Sequence, residues 1–354
     1  MMISIANPLI GEEERAAVDK VLRSGIIAQG PEVAKFEAEF AEMCGVKYAV
    51  ATSNGTTAGH LVMIANNIGP GDEVITTPFT FFATASVVMM VGAKPIFIDV
   101  EKNGFCLNPD GIESVITDKT KAIHPVHLYG ELANIPKISK IAKDNNLLLI
   151  EDSAQSHCAE NWGGKAGSFG DAGWFSFYPT KNMTTSEGGM ITTNNKDMAD
   201  RCKILRAHGM SAQYQHTEFG YNYRMTDISA AIGRVQLKRL TEFTNRRREI
   251  AMLYNEHLSK YVQVPENRRG HVFHQYTILS NNRDKLREHL QGKGVGSGTY
   301  YPTLLFNYEP MSQYSTECPR AQVLTEKALS LPVHPALTDK DVFTVIEAVI
   351  SFFD

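Results

Sequence analysis

Three separated stretches of the chain carry residues whose types and spacing could do chemistry. The apolar run 147–150 ends in Glu151-Asp152 and is followed by Gln155 and His157. A carboxylate at the end of a buried strand stays ionised only opposite a partner such as a protonated ring nitrogen. The plainer role for Asp152 is to cap the next helix. Lys181 stands between Phe175-Ser176-Phe177-Tyr178 and Thr184-Thr185-Ser186-Glu187-Gly188-Gly189. Desolvated in a glycine-edged turn, its amine could form a Schiff base with an aldehyde, although a lysine in a turn is more often a solvated surface residue. The third stretch, Ser53-Asn54-Gly55-Thr56-Thr57, is a glycine-containing turn from a strand into a helix. Backbone N–H groups at a helix N-terminus suit a phosphate, and an ordinary capping turn is the simpler alternative. The turn is neither GxGxxG nor GxxxxGK[ST]. A phosphate cradle, a carboxylate for a pyridinium nitrogen and a lysine for an aldehyde together describe the needs of pyridoxal 5'-phosphate (PLP).

The elements that must position these groups are legible in the apolar pattern. Short β-branched runs at 48–52, 74–77, 95–100, 122–125 and 147–152 read as strands, and 55–66, 82–91 and 135–144 as helices between them. This alternation predicts βαβ units and a mainly parallel sheet, with ligands at the strand carboxyl ends. Strands expected at 174–178 and 189–193 are too close for a helical crossover, so one member should be antiparallel. Residues 227–261 have helical spacing throughout. Beyond them, strands at 271–279 and 296–301 and helices at 283–291 and 339–352 predict a small α+β unit. The division expected is a large cofactor-binding domain over 1–240, with N-terminal helices, and a small C-terminal domain over 241–354.

Composition narrows the class. The 354 residues are 43% hydrophobic and 21% charged, with a formal net charge of −4. That is ordinary globular usage, without the basic tract of a nucleic-acid or membrane-surface binder. Five scattered cysteines, Cys44, Cys106, Cys158, Cys202 and Cys318, form no CxxC pair, so neither a disulfide framework nor a metal site is indicated. The start of the chain lacks the charged and apolar regions of a signal peptide, and 79–93 is too short and too polar to span a bilayer. A cytoplasmic protein is expected.

The sequence resembles the DegT/StrS-type sugar aminotransferases, PLP enzymes of fold type I. The likeness is carried by Gly25-Ile26-Ile27-Ala28-Gln29-Gly30-Pro31, Asn54-Gly55-Thr56, Glu151-Asp152-Ser153-Ala154-Gln155, Gly170-Asp171, Ser176-Phe177, Lys181-Asn182, Glu187-Gly188-Gly189 and Gly220-Tyr221-Asn222-Tyr223-Arg224. Tyr301-Pro302 and Leu331-Pro332 extend it to nearly the whole chain. The resemblance implies a seven-stranded, mainly parallel sheet flanked by helices. It implies Lys181 as the Schiff-base lysine and proton shuttle, Asp152 as partner of the pyridine nitrogen and Gln155 as partner of the ring hydroxyl. Gly55, Thr56 and Ser176 would hold the phosphate, and Phe81 would stack on the ring, unless it is a core residue of the run 79–82. Asn222 would reach the phosphate of a neighbouring subunit, making a homodimer with shared sites; alternatively it caps a surface turn beside a solvated Arg224. Arg224, His127 and Tyr301 are candidates for substrate contact, although a histidine placed like His127 is more often a satisfied strand-end residue.

Three departures from the family pattern stand out: Cys158 in place of a usual glycine, Ala58-Gly59-His60 in place of a more apolar helix start, and Tyr300 in place of a frequent histidine. The activity implied is transfer of an amino group from an amino acid, glutamate, to a keto group of a nucleotide-linked sugar. The wording of 184–189 favours C4 of the sugar slightly over C3. Two other classes compete: a nicotinamide oxidoreductase, which would need a glycine fingerprint the chain lacks, and a PLP-binding regulatory protein without turnover.

Overall fold

The computed structural model describes residues 2–354. Two helices, α1 (Glu12–Ser24) and α2 (Pro31–Cys44), precede a sheet built from β1 (Tyr48–Thr52), β2 (Glu73–Thr76), β3 (Lys94–Phe97), β4 (Thr120–Ile123) and β5 (Leu148–Asp152). Helices α3 (Gly55–Ala65), α4 (Phe82–Met90) and α5 (Ile135–Asp144) are interleaved with these strands. A small hairpin, β6 (Glu160–Asn161) and β7 (Gly164–Lys165), leads to β8 (Ala172–Ser176) and β9 (Gly189–Thr193). The sheet has seven strands in the order β1-β9-β8-β5-β4-β2-β3. Strand β9 is antiparallel to both β8 and β1, and the other pairings are parallel. The short 177–188 connection thus produces the reversed strand its length predicts.

Alternation along the strands sorts side chains between the two faces. Val50, Val74, Ile150 and Trp174 share one buried cluster with α3 and α6 (Lys196–Arg206). Their neighbours Ile75 and Leu149 pack on the other face with α5, as do Ala51 and Phe175 with α2 and the long α7 (Asp227–Leu258). Strands β1, β2, β5 and β8 are therefore covered on both sides, as a parallel sheet requires.

After a second hairpin, β10 (Met210–Ala212) and β11 (Gln215–His216), helix α7 (Asp227–Leu258) runs unbroken for 32 residues. Its first half contributes Ala230 and Leu240 to the core under β1 and β8. Its second half contributes Ile250, Tyr254 and Leu258 to a separate core with α8 (Arg283–Gly292) and α10 (Asp339–Ile350). We propose the division near residue 240 as a change of packing partner within one helix. The C-terminal unit also contains β12 (Tyr276–Leu279), α9 (Pro319–Lys327) and β13 (Ala328–Leu331), with β12 and β13 paired antiparallel. No described helix is long and apolar enough to cross a membrane.

Two strand expectations in this unit are corrected. Residues 271–275 are irregular, with Phe273 at φ 44°, because their backbone groups are taken by other elements. Val272 N–H donates to Gly130 O and Gln275 N–H to Tyr129 O. Residues 296–301 form no strand: Gly296 N–H donates to Ile3 O, and only Gly298 bridges Ser330 of β13.

Candidate active site

The candidate groups meet where the carboxyl ends of β5 and β8 face the start of α3. Asp152 is the last residue of β5 and only 3% exposed. Strand alternation turns it to the face opposite Glu151. Thr84 Oγ1, from α4, donates to Asp152 Oδ2 at 2.7 Å, and Ala154 N–H donates to Oδ1 at 3.1 Å. Burial is the dominant influence and pushes the carboxyl up to about 6, with the two hydrogen bonds and the nearby Lys181 opposing it. Two donors and one ammonium leave a buried carboxylate under-compensated, so Asp152 is poised to accept a cationic partner.

Lys181 sits in the 177–188 loop between β8 and β9. Phe177 anchors the loop: its N–H donates to Gly188 O at 2.8 Å, and its carbonyl accepts from Thr184 Oγ1 at 2.8 Å and Thr185 N–H at 3.1 Å. Lys181 N–H closes a turn onto Tyr178 O at 2.9 Å. Part of the side chain remains accessible, yet surrounding protein lowers the amine to about 8, against an upward pull from Asp152. Near neutral pH about a tenth of such an amine is unprotonated, far more than of an ordinary lysine, and that fraction can act as a nucleophile or base.

The turn before α3 is tightly built. Asn54 Oδ1 accepts from Thr57 N–H at 2.9 Å, and Asn54 N–H donates to Thr57 Oγ1 at 3.2 Å. This reciprocal cap leaves the N–H groups of Gly55 and Thr56 as first-turn donors. A Cβ at Gly55 would lie 2.7 Å from Ser176 Cβ, and one at Gly189 would lie 2.2 Å from Asn54 O. Glycine at both positions is what lets the loop, Ser176 and the start of β9 close to one cradle.

Gln155 is fixed at both ends of its amide: Oε1 accepts from Tyr129 N–H at 2.9 Å, and Nε2 donates to Tyr301 Oη at 3.0 Å. One amide N–H is left over. Phe81, the N-cap of α4, is 56% exposed with its ring 6.2 Å from that of Tyr301, whereas Phe79 is fully buried. Phe79 therefore takes the core position of this run and Phe81 the free face. Burial raises the hydroxyl pKa of Tyr301.

The remaining candidates fall differently. His127 is fully buried with both ring nitrogens engaged: Ala133 N–H donates to Nδ1 at 3.1 Å, and Nε2 bonds Glu151 Oε2 at 2.9 Å. The backbone donor to Nδ1 places the ring proton on Nε2, so Glu151 accepts it. No ring nitrogen is free for a substrate, and His127 is corrected from a substrate contact to a satisfied histidine behind Asp152. Glu151, which sequence reasoning passed over, accepts in addition from the N–H groups of Gly167, Phe169 and Gly170 at 2.8–2.9 Å. A glutamate on the opposite side of a strand from a site aspartate, followed by a glycine-rich turn, is the signal that could have found it. Asn222 is exposed and its side chain bonds nothing among the described residues, while its neighbour Tyr223 O accepts from Ser53 N–H at 2.8 Å. Arg224 is half-buried. Both therefore lie beside the Asn54 turn. Cys158 has φ 64°, a left-handed conformation that accounts for glycine being usual there. His60 is buried and bonds Tyr223 Oη through Nδ1 at 3.2 Å.

The chemistry of this donor set fits PLP: a glycine-lined cradle with spare N–H donors, a buried under-compensated carboxylate, a lysine of lowered basicity and an exposed ring to stack against. With the seven-stranded sheet and its single reversed strand, it defines a PLP-dependent transferase of fold type I. Residues 8–350 match the DegT/DnrJ/EryC1/StrS aminotransferase family, and the chain belongs to that family. It is 40% identical to the UDP-N-acetyl-3-dehydro-alpha-D-glucosamine 3-aminotransferase of Acidithiobacillus ferrooxidans, over 94% of this chain and 91% of that protein. It is 38% identical to the GDP-perosamine synthase of Escherichia coli O157:H7, over 99% and 98% of the two chains. Among solved structures, NtdA of Bacillus subtilis with bound cofactor PMP superposes with a TM-score of 0.91 at 30% identity, covering 96% of this chain and 81% of that one.

Proposed function

We propose that the protein is a PLP-dependent aminotransferase that moves an amino group from an amino acid, glutamate, to a keto group of a nucleotide-linked sugar. The observation that carries this reading is the joint placement of Lys181 and Asp152, each acting on the other's protonation, next to the Gly55–Ser176 cradle. When bound, PLP supplies an electron-accepting ring that stores the charge of a breaking C–H bond. The chain's residues do the rest. The N–H groups of Gly55 and Thr56 and the Ser176 hydroxyl hold the phosphate. Asp152 keeps a proton on the ring nitrogen, and the spare Gln155 N–H bonds the ring hydroxyl. Phe81 covers one ring face. The unprotonated form of Lys181 Nζ takes a proton from the donor's α-carbon and releases it to the carbon on the other side of the transferring nitrogen. Tyr301 and Arg224 are proposed to meet the substrate.

For the sugar, the wording of 184–189 supports C4 ahead of C3, while the likeness to the Acidithiobacillus 3-aminotransferase supports C3, so both keto-sugar classes belong in the assay. We further propose a cytoplasmic homodimer with shared sites. Support comes from Tyr214 and Phe219, each 84% exposed, just ahead of the segment that presents Asn222, whose side chain has no partner among the described residues. The test of the central reading is borohydride reduction of the PLP-loaded protein followed by peptide mass spectrometry. The phosphopyridoxyl group is expected on Lys181, and Lys181→Ala should fold yet lose all turnover. An adduct on another lysine would overturn the assignment.

A further inference from the structure

Lys181 also borders a small cavity of about 20 Å³ that Asp152, Gln155, Phe81 and Tyr301 do not line. Its walls include Lys181, Asn182, Arg247, His274 and His334, together with residues 5–9 of the N-terminal segment. Four of these wall residues each have a buried polar atom with no hydrogen-bond partner: Asn182 Oδ1, Arg247 Nε, His274 Nδ1 and His334 Nδ1. Such orphans are rare in folded proteins, and four on one cavity call for an occupant. Arg247 sharpens the point. It is 4% exposed and donates through Nη1 to the carbonyls of Phe273 and His274 at 3.2 and 3.3 Å. No carboxylate of the described residues pairs with it.

We propose that this cavity is a built hydration site, in which one ordered water bridges Arg247 Nε, Asn182 Oδ1 and His274 Nδ1 and solvates Lys181. The volume suits a single water, which needs about 10–15 Å³ and two to four polar partners. The hydrogen-bond balance also closes. The water accepts from Arg247 Nε–H and donates to the Asn182 carbonyl oxygen and to His274, which burial keeps neutral and so able to accept. His334 Nε2 also bonds Ser4 O at 3.1 Å, which ties the N-terminal segment to this wall.

The proposal rests on Lys181 being the working amine, and it gives that amine what its burial removes. Lys181 must alternate between ammonium and neutral amine. The groups facing it are Asp152 from β5, His157 just after β5 and His274 from the segment before β12, with Arg247 of α7 beyond His274. Both histidines are held neutral by burial, so among the described residues Asp152 is the anion that acts on the ammonium. A water beside it keeps the charged form accessible without a second carboxylate. Asn182, Arg247 and His274 are then positioning residues for the lysine's proton.

The test uses the cofactor-free protein, so its failure is separable from failure of the PLP assignment. A crystal structure at high resolution should show one water within hydrogen-bond distance of Arg247 Nε and Asn182 Oδ1; a dry cavity, or one filled by a side chain, overturns the proposal. Lys181 is then titrated by NMR in protein labelled on lysine. His274→Phe should expel the water and lower the Lys181 midpoint by about one pH unit, the worth of one hydrogen bond to a charged group. His274→Asn, which again offers a polar partner, should restore the midpoint to near the wild-type value. An unchanged midpoint in His274→Phe, or equal shifts in both variants, would refute the link to Lys181. If His274→Phe does not fold, the wild-type water and the Asn variant decide.

Discussion

Replacing Asp152 by Asn separates what this residue does for the fold from what it does for the cofactor, because the two effects have opposite signs. Asn fits the site: its side-chain oxygen still accepts from Ala154 N–H, and its amide can donate to Thr84 Oγ1, which turns its own proton to Thr80 Oγ1 at 3.0 Å. In the cofactor-free protein the wild-type carboxyl is raised from 3.8 to about 6. The folded state therefore binds a proton more tightly than the unfolded chain does. The wild type loses stability as pH rises from about 4 through 6, and the loss is complete above that range. At about 1.4 kcal/mol per pH unit, Asn should stabilise the cofactor-free protein by about 3 kcal/mol at pH 7.5 and by almost nothing near pH 4. Lys181 is protonated in both states over most of this window and does not disturb the comparison. Turnover should move the other way, falling at least about a hundredfold, or about 2.7 kcal/mol, as the ring nitrogen loses its anion. Urea melts of the cofactor-free proteins at several pH values, read beside steady-state rates of the loaded ones, give both quantities. A variant that is less stable than wild type at pH 7.5, or a stability difference independent of pH, would refute the reasoning.

Glu151→Gln should destabilise the protein by about 2–4 kcal/mol in denaturant melts, because the new amide faces backbone N–H groups that the carboxylate now satisfies; a loss below about 0.5 kcal/mol would mean the 167–170 turn is held elsewhere. Mixing inactive Lys181→Ala with inactive Asn222→Ala subunits should restore part of the activity, since one of the two shared sites in each mixed dimer is intact. No recovery after confirmed subunit exchange, or a fully active monomer in sedimentation, would refute the composite site.

The large unit was legible because its signals are local. Runs such as Tyr48–Thr52 and Ile135–Asp144 coincide with the expected elements to the residue, since apolar period and turn residues there agree. Lys181, Asp152 and the Asn54 turn were readable for the same reason: each sits at a strand end. Residues 271–275 and 296–301 have equally apolar wording but spend their backbone donors on Gly130, Tyr129 and Ile3, partners more than a hundred residues away that no window reveals. His127 was ambiguous because only the fold brings Ala133 N–H and Glu151 to its two nitrogens. Phe79 and Phe81 could not be told apart by type; the cap of α4 between strand and helix decides which one turns outward.

The unbroken course of α7 has a bearing on how the chain can be taken apart. A helix of this length extends about 48 Å, and its two halves are glued into different cores. Expressing either unit alone by cutting near residue 240 would strip Ile250, Tyr254 and Leu258 of their support or leave Ala230 and Leu240 without a continuing helix. The same helix begins with Asp227, whose carboxylate accepts from the N–H groups of Gly30, Glu32 and Val33 at the start of α2. Any tilt of the C-terminal unit is thus levered directly onto the N-terminal arm. The two units are not modules that recombination could shuffle, but the ends of a single beam.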